Sequence, residues 1–294
     1  MQKSRTGGAP RADKREIEMN MISIAPNPNR ALWEKGDFTR IAETMRDSGE
    51  ALVASFDIAA GMRILDLGCG DGTTAIPAAR CGADVLGVDI ATNLVAAGQV
   101  RAAAEGLSNV RFQQGDATNL AGIADESFDM VVSIFGAMFA PDPYSAAREM
   151  VRVTKRGGRI VMGNWIPGDP TLVAQILRIS SAYSPPPPAG FVSPMLWGNE
   201  AEVRSRFVAA GIDGDDIRFE RRTWWFATAD GPLSLLATFR DYYGPTMNAF
   251  AAAKANGREM ELERELADLF ISANQGSEAT LIPATFLQVT VEKR

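Results

Sequence analysis

Residues 64–79, ILDLGCGDGTTAIPAA, pass from an apolar run through Gly68, Gly70 and Gly72 into helix-forming alanines. A turn of this kind joins a strand to a helix and usually cradles a nucleotide-like ligand. The strand is MRILDL (62–67). The helix is predicted to start late, with Thr74 as N-cap, because Pro77 then falls in the first turn, where no N–H is needed.

The alternation continues downstream. ADVLGVD (83–89) reads as a second strand, 92–105 as an alanine-rich helix ended by Gly106, NVRFQQ (109–114) as a third strand and FDMVVSIF (128–135) as a fourth. Asp142–Pro143 opens a helix that closes on Lys155–Arg156–Gly157, and GRIVMGN (158–164) is a fifth strand. Such units imply a doubly wound parallel α/β sheet covered by helices on both faces. Its ligand belongs beyond the carboxyl ends of the strands, where strand order reverses.

The flanks are less regular. Residues 1–28, polar and ending in PNPN, read as a flexible arm, and 31–56 as two short helices broken near Gly36 or Gly49. Residues 168–197 hold a helix and a stiff proline run, and 198–211 a helix capped by Asn199, with Glu202 completing a variant capping box. Strands are expected at 216–228 and 285–294, and two or more helices over 231–275.

Bulk composition narrows the function. A formal charge of −6 argues against general affinity for nucleic acid or anionic lipid, and no apolar stretch has the length of a membrane span. The first residues are charged and lack the apolar middle of a secretion signal. Cys69 and Cys81, the only cysteines, are expected to be free thiols in a reducing cytoplasm. The chain has no histidine, so any chemistry must proceed without imidazole as base or metal ligand.

Three ligands compete for the glycine turn. A triphosphate loop needs Lys and then Ser or Thr after its last glycine, whereas Gly72 is followed by Thr73 and Thr74. A dinucleotide turn needs a third glycine where Thr73 stands, which weakens a nicotinamide oxidoreductase. Asp66, two residues before the first glycine, is expected to point at the ligand, repelling a pyrophosphate and suiting a cationic or ammonium-bearing group.

The run Asp66–Leu67–Gly68–Cys69–Gly70–Asp71–Gly72 resembles the first motif of class I S-adenosylmethionine-dependent methyltransferases. Three later segments resemble that family's further motifs: GDAT (115–118), SFDMVVSIFGAMFAPDP (127–143) and GGRIVMGNW (157–165). The resemblance implies S-adenosylmethionine as cofactor. It implies Asp89 on the ribose hydroxyls, Ile90 against the adenine, Asp116 with Ala117 at the adenine amino group, and Ile134 beside the cofactor. Gly68, Cys69 and Gly70 would form the turn itself. WEKGDFTRIA (33–42) and FRDYYGPTMNAF (239–250) look like a bacterial subgroup related to the quinone-biosynthesis C-methyltransferases.

The family's fold implies a seven-stranded, mostly parallel sheet with an antiparallel final strand. Residues 29–294 would then be a single domain, its core 62–164 plus 198–230 and 284–294, with helical cap insertions at 165–197 and 231–283. The insertions are rich in large aromatic groups, so a small, largely apolar acceptor is expected. Trp165, Met138, Phe139 and Trp197 are the candidates to line its pocket. In-line methyl transfer to oxygen, nitrogen or carbon depends mostly on alignment and needs no metal. Where a proton must be removed, Asp241, Tyr242 and Tyr243 are the nominees. A non-catalytic binder of the same cofactor is the alternative. The cap helices leave a homodimer open, and two cysteines are too few for arsenic-type methylation.

Overall fold

The computed structural model describes Asn27 and residues 29–294, so apart from Asn27 the expected arm lies outside the described residues. Three helices come first: α1 (Asn29–Glu34), α2 (Phe38–Glu43) and α3 (Arg46–Ala54). Two had been expected. Gly36 does fall in the break between α1 and α2, but Gly49 lies inside α3, where it lets the helix press against the backbone of Thr73.

The alternating region then runs β1 (Arg63–Leu67), α4 (Ala75–Arg80), β2 (Asp84–Asp89), α5 (Thr92–Ala104), β3 (Val110–Gln114), β4 (Phe128–Ile134), α6 (Pro143–Val153) and β5 (Thr154–Trp165). Asp142 caps α6 as its sequence suggests, accepting from the Ser145 N–H at 3.0 Å. The helix stops earlier than expected. Thr154 turns its hydroxyl back onto the Met150 carbonyl at 2.7 Å and already pairs with Phe128, so Lys155–Arg156–Gly157 belong to the strand.

Beyond β5 come α7 (Leu172–Ser181), α8 (Glu200–Ala209), β6 (Ile217–Thr228), α9 (Pro232–Tyr242), α10 (Gly244–Ala255), α11 (Glu259–Ala273) and β7 (Thr280–Glu292). Asn199 caps α8 through the N–H groups of Ala201 and Glu202. Glu202 does not reach back as a capping box would; it faces Arg206 at 3.6 Å. β7 begins five residues before its expected start at 285. Pro283 hid this start, but its pairing partner is Trp225 of β6, and β5 has already ended opposite Phe286. A proline is tolerated where a neighbouring strand has run out.

The seven strands form one sheet in the order β3-β2-β1-β4-β5-β7-β6, parallel throughout except for β7, which runs against both neighbours. Strand order reverses between β1 and β4, so their carboxyl ends leave a crevice. Above it α1 and α2 meet α9 and α10 at backbone distance: Gly36 lies against the Tyr242 carbonyl and Gly244 against the Leu32 carbonyl. Any side chain at either glycine would force these layers apart.

Candidate functional site

The crevice floor is a glycine contact. Gly68, at φ +73°, ends β1, and Gly136 follows β4; a Cβ built on Gly68 would lie 2.5 Å from the Gly136 Cα. Ser133 ties the same two strand ends, donating to the Leu67 carbonyl at 2.7 Å and accepting from the Ala137 N–H at 2.9 Å. Gly70, at φ +54°, has only open space where a Cβ would stand. Backbone is thus exposed to a ligand at Gly70.

The cleft encloses about 960 Å³ to its open mouth. Gly68, Cys69, Gly70, Asp89, Ile90, Asp116, Ala117 and Ile134 line it. Asp89 accepts from the Gly70 N–H at 2.8 Å and from the Ala91 N–H at 2.9 Å, holding the turn to the end of β2. Burial raises its carboxyl above the usual range, against the lowering effect of those N–H groups. Burial likewise raises the Cys69 thiol and keeps it neutral. Asp116 accepts from the Asn27 side-chain amide at 2.8 Å and from the Thr118 N–H at 2.9 Å.

Asp66 is the exception. It is 2% exposed and lies behind the turn, not in the cleft, beside a small apolar gap lined by Val53, Phe56 and Val132. One oxygen accepts the Thr74 hydroxyl and the other has no partner. Burial raises its pKa to about 7, the Thr74 bond opposing and the Asp89 charge assisting. Thr74 does stand at the N-cap of α4, but its hydroxyl is spent on Asp66 and not on the helix. The carboxylate expected at the ligand is therefore a packed interior group.

A second, smaller chamber adjoins the cleft, walled by Trp33, Phe38, Phe135, Phe139, Trp165, Phe226, Phe239 and Tyr243 among others. Trp33, Phe38, Met45, Phe135 and Phe139 line both spaces, so the two share a wall. Of the expected acceptor residues, Trp165 and Phe139 wall this chamber, whereas Met138 and Trp197 are packed away from both spaces. Trp197 lies under the Arg206 guanidinium, 4.5 Å from its ring centre, against Phe207. Of the expected catalytic residues only Tyr243 reaches the chamber. Tyr242 is 39% exposed, and Asp241 is paired with Arg240 at 2.8 Å on the outer side of α9, which holds its carboxyl below the usual range. Burial pushes the Tyr243 hydroxyl well above the usual tyrosine range.

Several lining residues carried no signal in the sequence. Asn27 lies in the PNPN stretch read as a flexible arm, and Trp33, Phe38 and Met45 read as the apolar face of short helices. Arg46 clamps the buried Asp71 carboxylate, at 2.9 Å for one of the two contacts, and Arg101 donates to the Asp71 carbonyl at 2.6 Å. Both arginines come from helices remote in sequence.

A glycine turn open to a ligand, strand-end carboxylates beside it and a sheet whose last strand alone is reversed define a nucleoside-binding methyltransferase fold. The chain belongs to the class I S-adenosylmethionine-dependent methyltransferases, and S-adenosylmethionine is its cofactor. A family model described as a methyltransferase domain matches residues 65–162. Over 268 residues, 90% of this chain and 94% of the relative, it is 34% identical to an uncharacterized protein of Mycobacterium tuberculosis. It is also 38% identical to the demethylmenaquinone methyltransferase of Paenarthrobacter aurescens, over 39% of this chain and 43% of that enzyme. Among solved structures, the YcgJ protein of Bacillus subtilis superposes with a TM-score of 0.54 at 21% identity, covering 84% of this chain and 99% of that one. The phosphoethanolamine N-methyltransferase 2 of Haemonchus contortus, solved with S-adenosylhomocysteine, gives 0.57 at 19% identity, covering 90% and 60%.

Proposed function

We propose that this methyltransferase acts on a small, largely apolar acceptor held in the aromatic chamber. The observation that carries this reading is an apolar, aromatic-walled space that lies directly beside the cofactor cleft, the two sharing five lining residues. Small-molecule sites are commonly of this kind, apolar walls with few polar groups.

In this reading the open backbone at Gly70 and the carboxylates of Asp89 and Asp116 suit a nucleoside carrying a cationic tail. Asp89 accepts the ribose hydroxyls, Ile90 and Ala117 pack on the base, and Asp116 accepts from its amino group. When bound, S-adenosylmethionine supplies an electrophilic methyl group. The chain's own work is orientation and exclusion of water: the aromatic walls fix the acceptor's plane and keep the reacting pair dry. Tyr243 is the polar group of the chamber wall. With its hydroxyl held protonated, it orients an acceptor oxygen as a hydrogen-bond donor and does not act as a base. An acceptor already ionised near neutral pH, such as an acidic phenol or a carboxylate, then needs no base at all.

The test is release of S-adenosylhomocysteine across a panel of phenols, carboxylates and amines graded in polarity. Turnover confined to apolar members, with KM raised in Tyr243→Phe, is the expected result. Preference for highly charged acceptors would refute the reading.

A further inference from the structure

The wall shared by cleft and chamber contains one residue whose backbone is out of the ordinary. Phe135 has φ +56°. Bulky side chains rarely adopt this left-handed region, and residues held there concentrate at functional sites. Of the described residues, Asp57 and Glu126 are the other non-glycines with positive φ, and neither lines the cleft or the chamber. Phe135 lines both.

Its surroundings hold it there. The N–H donates to the Gly163 carbonyl at 2.9 Å. The ring stacks on Trp165 with centres 3.7 Å apart and planes 7° from parallel. Trp224 and Phe286 meet it edge-on at 5.0 and 5.4 Å. The next residue, Gly136, is the one pressed against Gly68 of the cofactor turn. One short segment therefore touches the cofactor turn through its backbone and the chamber through its side chain.

We infer that Phe135 is the specificity-determining and positioning residue of the methyl transfer: its ring narrows the passage through which the acceptor atom must approach the transferable methyl. The inference rests on the chamber being the acceptor site. It adds that the width of an acceptor at its reacting end is set by this ring, and that a strained backbone is kept to hold the ring in place. A glycine would relieve the strain but open the passage.

The test uses the full chain saturated with S-adenosylhomocysteine, titrated with 1-naphthol and with the larger N-phenyl-1-naphthylamine, following probe and tryptophan emission. Phe135→Ala is expected to bind the larger probe at least tenfold more tightly than wild type, and Phe135→Trp to bind both at least tenfold more weakly. S-adenosylhomocysteine is kept saturating for each variant at that variant's own measured affinity. Phe135→Gly should match Phe135→Ala in probe binding yet melt at a higher temperature, reversing the usual order of the two residues. Probe affinities that move in neither variant, with S-adenosylhomocysteine still bound, would overturn the inference alone. A wild-type protein that binds S-adenosylhomocysteine but neither probe would overturn the chamber reading, and this inference with it.

Discussion

Asp66→Asn should change the pH dependence of stability in a direction opposite to that of most carboxylate variants. The carboxyl is buried, has one oxygen without a partner, and titrates near pH 7 where the ordinary value is 3.8. Below about pH 4 it is protonated in both the folded and unfolded chain and costs nothing. Between about pH 4 and pH 7 the unfolded chain releases the proton and the folded chain keeps it, so stability falls as pH rises. Above about pH 7 both states are ionised and the fall ends. A displacement of about three pKa units at roughly 1.4 kcal/mol each makes the full cost about 4 kcal/mol. Asparagine keeps an acceptor for the Thr74 hydroxyl and carries no charge. The gap in unfolding free energy between Asp66→Asn and wild type should therefore widen, in favour of the variant, by about 2–3 kcal/mol between pH 5 and pH 8. Urea unfolding at four pH values measures it. Saturating S-adenosylhomocysteine should stabilise both proteins equally, since Asp66 lies behind the turn. Parallel stability curves for the two proteins would refute the argument.

Three other outcomes follow from the cleft. Asp89→Ala removes the acceptor of the Gly70 and Ala91 N–H groups, and at about 1.5–3 kcal/mol per charge-assisted bond calorimetry should find S-adenosylhomocysteine binding weakened at least about tenfold. Gly136→Ala would put a Cβ 2.6 Å from the Gly68 Cα and carbonyl oxygen; overpacking of this kind costs about 1–3 kcal/mol, read as a lower melting temperature together with weaker cofactor binding. Calorimetry with NADH should show no binding under conditions where S-adenosylhomocysteine binds.

The parallel sheet was legible because each strand is a short apolar run closed by a turn residue, and because Asp142 and Asn199 are caps whose chemistry is local. Errors arose where a local rule met a tertiary one. Pro283 breaks the local rule for a strand interior, and only the end of β5 makes it harmless. Asp241–Tyr242–Tyr243 looked like one cluster, yet Asp241 and Tyr242 end α9 facing outward, while Tyr243 is the extended link between α9 and α10 and enters the chamber. Trp197 and Trp165 were equally aromatic on paper. Arg206 covers one and Phe135 stacks on the other, and neither contact has a sequence period.

The position of Asp66 behind the turn bears on cofactor choice. Exclusion of a diphosphate had been assigned to that carboxylate, which stands behind the turn with a raised pKa. The cleft itself is lined by Asp71, Asp89 and Asp116 and, among the described residues, by no lysine or arginine. Arg46 and Arg101 both pair with Asp71, leaving Asp89 and Asp116 as the lining carboxylates without an ion-pair partner among the described residues. At an effective dielectric of about 20, unit charges about 6 Å apart interact by about 3 kcal/mol, enough for roughly a hundredfold in affinity. A diphosphate placed beside Asp89 and Asp116 would meet that repulsion, whereas a sulfonium or ammonium would gain from it. Selection for a positively charged nucleoside is thus a property of the second and third strand ends.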